Sequence, residues 1–277
     1  MLSKYIETDV QTGVSYFNPI KPLWNGRPHE SKIAHILLPK RRLNNFGDLL
    51  GPIISNCIIR EKLGEHFFRK FKNNFYTVGS ILHFALDNDY IWGTGINGRI
   101  AKSSYNIKEL NVFSVRGPLT KKFLLEKNIS CPEVYGDPAL LFGNYFPKYK
   151  SMKKENELIV ISNYSEKCPK NLPKNTLVRS PLGNPFKIIE DIARSNFVIS
   201  SSLHAVIIGE SLGIPSRFLS VLDESPTKYI DYLNGTNRDN YNALSSVRKC
   251  LDLGGQESPK YDKDKIINSF PIDLYNN

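Results

Sequence analysis

One imidazole, His204, follows three consecutive hydroxyls, Ser200, Ser201 and Ser202, in the stretch Asn196–Pro215. Phe197, Val198 and Ile199 form a short apolar run before them, which predicts a buried strand. Three serines then favour a turn and a helix N-cap. From Leu203 the spacing is helical, with Leu203, Val206, Ile207 and Leu212 largely on one side. Gly213 falls just past the expected helix end and Pro215 stops it. The N–H groups of a helix start have no intrahelical partners and carry partial positive charge, so such a start suits a phosphate or carboxylate. An imidazole titrates near neutrality and adds a proton donor. The same residues also read as a serine-capped helix start with a surface histidine, and the stretch alone leaves both readings open.

Arg116 is the second residue of chemical interest. It stands where Asn111–Val115 ends and a helix opened by Gly117-Pro118 begins. A cation at that point opposes the helix dipole, so an anion ligand is as good a reading as a surface arginine. Asn45 and Asp48 precede another helix, where capping competes with chemistry.

The elements that must hold these residues alternate. Phe75–Val78 ends at Gly79-Ser80, Tyr90–Trp92 at Gly93-Thr94-Gly95, Asn111–Val115 at Arg116-Gly117-Pro118, and Glu133–Tyr135 at Gly136-Asp137-Pro138. Short apolar strands alternating with helices indicate α/β architecture with covered parallel sheets, whose ligands sit at the strands' carboxyl ends. Gly93-Thr94-Gly95 lacks the third glycine and acidic partner of a dinucleotide site. Residues 1–34 read as loop, His35–Pro39 as a short strand, and Lys40-Arg41-Arg42 as a basic loop before a helix that reaches Gly64 and has Pro52 in its first turn. Residues 143–156 read as a linker, giving domains 1–145 and 146–277. The second begins at Leu158–Ile161 and continues through Thr176–Arg179, a helix near Phe186–Arg194 and a strand near Arg217–Leu219.

Composition narrows the class. The chain has 277 residues, 40% hydrophobic and 23% charged, as expected of a packed protein. No apolar run reaches a membrane span of roughly 18–20 residues. The N-terminal residues lack the apolar core of a signal peptide, so a cytoplasmic location is expected. Cys57, Cys131, Cys168 and Cys250 form no zinc pattern and are expected as reduced thiols. The net charge of +10 suits an anionic substrate or an anionic membrane surface. No nucleic-acid motif accompanies it, so no nucleic-acid partner is expected.

Six pieces together resemble the polysaccharide pyruvyltransferase family: Asn45–Asp48, Trp92–Gly95, Val115–Thr120, Tyr135–Leu141, Ser200–Ala205 and Lys228–Tyr232. They occur in the family's order across roughly residues 40 to 235. The resemblance implies two Rossmann-like domains facing a cleft, as in GT-B glycosyltransferases. It implies phosphoenolpyruvate as donor, an acceptor sugar that becomes a pyruvate ketal, and no metal or other cofactor. On that reading His204 and Asp48 are catalytic. Arg116, Ser200, Ser201, Ser202, His204 and Lys228 bind the donor. Asn45, Arg41 and Arg42 bind the acceptor, a polyprenyl-diphosphate-linked oligosaccharide met at the membrane's inner face.

Two departures stand out. Many members carry Ser-Arg-Leu-His where this chain has Ser201-Ser202-Leu203-His204, so another cation must share the anion's charge. A serine there is similar to the branch that makes exopolysaccharide ketals. Many members also carry a histidine where this chain reads Ser162-Asn163-Tyr164-Ser165. A nucleotide-sugar glycosyltransferase of the same fold and a non-catalytic scaffold of a polysaccharide assembly complex are the alternative functions.

Overall fold

A computed structural model describes residues 4–24, 27–28, 31–166, 169, 171–220 and 225–276. Cys168 and the Asn25-Gly26 turn lie outside the described residues.

The structure is mixed α/β. The first of two main sheets has the order β1-β2-β3-β4-β5, with β1 Ile6–Thr8, β2 Val14–Phe17, β3 Phe75–Tyr76, β4 Tyr90–Trp92 and β5 Asn111–Ser114. β2 to β5 are parallel, and β1 closes the edge as an antiparallel hairpin with β2. The second sheet is wholly parallel, with β6 Leu158–Ile161, β7 Thr176–Arg179, β8 Val198–Ser200 and β9 Ser216–Phe218 in the order β7-β6-β8-β9. The chain reverses its direction across this sheet between β6 and β8. Loops leaving two such neighbouring strands diverge and open a crevice at their carboxyl ends.

β6 has side chains buried on both faces. Leu158 and Val160 join Ile199 and Cys250 in one cluster, and Ile159 and Ile161 join the largest cluster on the opposite face. That largest cluster links the sheets. It combines Leu50 and Ile54 of helix α1, Leu50–Leu63, with Leu140, Leu141 and Ile207. Pro52 sits in the first turn of α1, where its missing N–H costs no intrahelical bond, and Gly64 closes the helix at φ 86°.

The structure differs from the sequence reading in several places. Residues 4–24 contribute β1, β2 and a strand at Ile20–Trp24, where loop was expected. Lys40–Arg42 pairs with Ile20–Pro22 as an antiparallel strand, because β pairing supplies its backbone partners. Lys32–Leu37, expected to be partly strand, is a short helix whose Ser31 side chain caps the Ala34 N–H at 3.1 Å. The unit at Glu133–Tyr135 reduces to one bridge between Tyr135 and Val115. Within 143–156, Phe146 stacks on Phe142 at 4.6 Å and Tyr149 is buried, while most residues from 147 to 155 are exposed. The chain's end folds back onto the first sheet. There Trp92 donates its indole N–H to Ser269 at 3.0 Å, and the Phe270 ring meets it edge-on at 4.9 Å.

A buried ion pair fixes the first sheet against the second half of the chain. Arg116 leaves β5 just before α2, Pro118–Glu126, and Asp231 lies on α5, Thr227–Gly235, where α3 and α4 denote Pro185–Ala193 and Leu203–Ser211. Both side chains have no exposed surface. Asp231 accepts from Arg116 Nε at 3.1 Å, from the Leu119 and Thr120 N–H groups at 2.9 and 3.1 Å, and from Thr120 Oγ1 at 2.7 Å. It therefore caps α2 from another helix and neutralises the cation that opposes α2's dipole. The backbones touch at this crossing. A Cβ on Gly117 would overlap the Asp231 carbonyl, and one on Gly235 would overlap the Arg116 carbonyl.

Removing one partner strands a buried charge, so Asp231→Ala should cost about 3–5 kcal/mol of stability. Arg116→Ala should cost a similar amount, and the double variant clearly less than the sum. Urea unfolding measures this. Losses below about 1 kcal/mol, or strict additivity, would contradict the assignment.

Candidate active site

The carboxyl ends of both sheets open on one cavity of about 240 Å³. β3 delivers Ser80 to it, and the loop after β4 delivers Asn97 and Arg99. The loop after β6 brings Asn163 and Tyr164, and the turn after β8 brings Ser202 and His204. Asn45 and Asp48 enter from the loop before α1, and Lys228 from the first turn of α5. The crevice predicted by the strand reversal between β6 and β8 is thus the one that holds His204.

The start of α4 owes its shape to serine hydroxyls that point inward. Ser200 Oγ bonds to the Ile161 carbonyl and accepts the Ser202 N–H at 2.8 Å. Ser201 Oγ donates to Glu166 Oε2 at 2.6 Å and accepts the Asn163 N–H at 2.9 Å. These bonds close the turn and occupy both side chains, and neither Ser200 nor Ser201, expected as donor ligands, is among the described residues that line the cavity. Ser202 lines the cavity and makes no capping bond with its hydroxyl. α4 itself is buried from Leu203 to Gly209, where a single apolar face was expected. It is covered by β8, β9, α3 and the segment Pro138–Tyr145.

His204 is held between Gly47 and Asp137. Its Nε2 lies 3.5 Å from Asp137 Oδ2, outside hydrogen-bond geometry, and both atoms are buried with no other partner. Asp137 Oδ2 is thus the nearest acceptor to Nε2. Asp137 is itself anchored by accepting the Ala139 N–H at 3.0 Å through Oδ1. The ring lies so close to the Asn45–Asp48 turn that a Cβ on Gly47 would overlap Nδ1. Asn45 Oδ1 accepts the Gly47 N–H at 3.2 Å and shapes that turn.

Asp48 is buried at the cavity wall. Desolvation pushes its carboxyl up to about 6, against the attraction of His204 and Lys228 and with the repulsion of Asp137. A carboxyl there can exchange a proton near neutral pH. Across the cavity, His83 is pushed down to about 4 by burial and is neutral.

Other assigned residues sit elsewhere. Arg116 is wholly buried and does not line the cavity. Its guanidinium serves Asp231, Ser80 Oγ at 2.5 Å and the Ile96 carbonyl at 2.9 Å. The anion that its position called for is thus the chain's own Asp231, and Arg116 positions Ser80. Arg42 donates to the Asn18 carbonyl at 2.6 Å and pairs with Glu7, and Arg41 is exposed on its strand. Neither reaches the cavity. Arg99, Asp137, Ser80 and His83 were not singled out from sequence, although Asp137 stood inside the Gly136-Asp137-Pro138 motif. Lys228 and Arg99 line the cavity together with Ser202. Among the described residues no group of three or more His, Cys, Asp or Glu is placed to hold a metal ion.

The raised carboxyl of Asp48 makes a pH-dependent cost. Below about pH 4 it is protonated in folded and unfolded chains alike and contributes nothing. Above about pH 6 it is ionised in both, and the folded chain bears the desolvation. Asp48→Asn should therefore stabilise the fold by up to about 3 kcal/mol at neutral pH, a gain that fades towards pH 4. Unfolding titrations across that range test the sign. A gain independent of pH would contradict it.

Comparison with known proteins places this geometry. Over 193 residues the chain is 28% identical to "Uncharacterized protein L143" of Acanthamoeba polyphaga mimivirus, covering 64% of this chain and 65% of that protein. The chain thus spans a little under two thirds of the length of the curated relative it matches. The model of the polysaccharide pyruvyl transferase family matches residues 63–223, more than half the chain, from the end of α1 past β9 and including Arg116, Asp137 and His204. The chain belongs to the polysaccharide pyruvyl transferase family.

Proposed function

We propose that the protein transfers pyruvate from phosphoenolpyruvate to two hydroxyls of a sugar, forming a ketal and releasing phosphate. The observation that carries this is His204: an imidazole at a helix N-terminus, backed by buried Asp137, in a cavity shared with Asp48 and Lys228. The family match favours this reading over the nucleotide-sugar and scaffold alternatives.

The chemistry requires a proton at C3 and nucleophilic oxygen at C2. The first hydroxyl adds to C2 and gives up its proton as C3 gains one. The C2–O bond to phosphate then breaks and the second hydroxyl adds, its proton leaving with the phosphate. His204 acts as the proton donor on the donor side, with Asp137 Oδ2 3.5 Å from its Nε2. Asp48 accepts the proton of the sugar hydroxyl, and its carboxyl near 6 is matched to that exchange. Lys228, Arg99, the Ser202 hydroxyl and the N–H groups of the first turn of α4 hold the phosphate and carboxylate. Asn45 lies on the acceptor side. The two sheets with their helices act as two Rossmann-like lobes, GT-B-like, around this cleft.

Phosphate release from phosphoenolpyruvate in the presence of hexoside acceptors is the direct test. We expect His204→Gln to lower turnover by roughly 10²–10⁴-fold, the range of general acid–base catalysis, while phosphoenolpyruvate still binds. Wild-type turnover in that variant would sink the assignment. The acceptor is proposed to be a polyprenyl-diphosphate-linked precursor met at a membrane face, where the +10 charge favours anionic lipid. No described helix is long and apolar enough to cross a membrane. Sedimentation with phosphatidylglycerol vesicles should fall steeply between about 50 and 500 mM salt. Binding insensitive to salt, or absent at low salt, would count against surface attraction.

A further inference from the structure

A second concavity lies beside the first and has opposite chemistry. It holds about 410 Å³ between β2, the first turns of α1 and the start of α3. A crossing of two chain segments separates the two cavities. Phe46 N–H donates to the Pro181 carbonyl at 2.8 Å, and Gly183 N–H to the Asn44 carbonyl at 2.9 Å. Neighbouring residues therefore serve different sites: Phe17 and Asp48 line the first, and Tyr16 and Leu49 line the second.

We propose that this groove binds a neutral carbohydrate. No lysine, arginine or histidine is among its described lining residues, so it is not a second anion site. Its ionisable groups are Asp9 and Tyr16. Burial and the Glu7 carboxylate push the Tyr16 phenol up to about 12, so it stays neutral. The remaining lining divides into apolar surface and planar amides. Phe186 is 38% exposed and its ring is braced edge-on by Phe146 at 5.6 Å, next to Pro185 and Pro52. Such rigid apolar faces suit the C–H face of a pyranose, while amides and carboxylates suit its hydroxyls.

The polar groups are held in place before any ligand arrives. Asn184 Oδ1 accepts the N–H groups of Phe186 and Lys187 at 3.0 and 3.2 Å, which fixes the amide and leaves its NH₂ group. Asp9 Oδ2 accepts from Thr12 N–H and Oγ1 at 2.8 and 2.7 Å, which leaves Oδ1. Asn56 also lines the groove; its Oδ1 is buried without a hydrogen-bond partner, so its NH₂ group is the part of the amide open to a ligand hydroxyl. The carbohydrate here is a remote part of the same acceptor whose reacting sugar enters the His204 cavity. This last assignment rests on the pyruvyl-transfer reading, and the binding itself does not.

Saturation-transfer NMR on the whole chain, with neutral tetrasaccharides of glucose, galactose and mannose as probes, tests the binding. At least one probe should receive saturation at its ring C–H protons, and excess phosphoenolpyruvate should leave the signal in place. Asn56→Leu, away from the aromatic core, should weaken binding by about tenfold or more at an unchanged unfolding midpoint, and Phe186→Ala should weaken it likewise while the chain stays folded. No signal from any probe, displacement by phosphoenolpyruvate, or full binding in folded Asn56→Leu would overturn the proposal. In turnover assays Asn56→Leu should raise KM for an oligosaccharide acceptor and leave KM for phosphoenolpyruvate and for a monosaccharide acceptor unchanged. A raised KM for all three would overturn the link to the acceptor. Carbohydrate binding with no phosphate release by wild type would refute the pyruvyl-transfer reading and that link, while upholding the groove as a carbohydrate site.

Discussion

The crossing of α2 and α5 at Arg116 and Asp231 is the constraint on which the arrangement of the site depends. Two charges with no exposed surface are tolerable only when each satisfies the other. Asp231 does more, because it also takes the two N–H groups and the hydroxyl at the start of α2. Glycines at 117 and 235 let the two backbones come into contact. The first turn of the same helix α5 carries Lys228, and Arg116 holds Ser80. The clamp therefore sets the distance between the cation on one side of the cavity and the hydroxyl on the other.

The cavity gathers charge that cannot relax into water. Desolvation raises Asp48, and the neighbouring Asp137 raises it further, while His204 and Lys228 pull the other way. The result is a carboxyl pushed up to about 6 in the same cavity as the His204 imidazole. Asp137 is buried beneath His204, with its Oδ2 3.5 Å from Nε2. The second groove has no cation among its described lining residues and is lined largely by amides and apolar faces, so the two concavities differ in charge.

Elements whose signals are local were legible. Strand β6 and strand β7 follow their apolar runs, and α1 ends where Gly64 predicts. The start of α2 falls at Pro118, as the Gly-Pro pair indicates. The turn from β8 into α4 was also readable from three serines before a helical pattern. Misreadings cluster where the partner is distant. β1 and β2 carry few periodic apolar residues, and they become strands because β3 and the hairpin provide hydrogen bonds. α4 looked amphipathic, yet its other face is covered by Pro138–Tyr145, which lies more than fifty residues earlier in the chain.

The sequence by itself determined that the chain alternates strands and helices and that His204 stands at a helix start. It also placed glycines and charged residues at strand ends, because capping, turn and periodicity signals act over a few residues. Only the tertiary structure decided what those charges do. Arg116 had the position of an anion ligand, and folding gave it Asp231 as its anion, 115 residues away in the chain. Ser200 and Ser201 had the position of phosphate ligands, and folding turned them inward to close the turn. Asp137 and Asp48 come together near one imidazole only through the fold. Desolvation and charge pairing depend on distance in space, and a sequence records distance only along the chain.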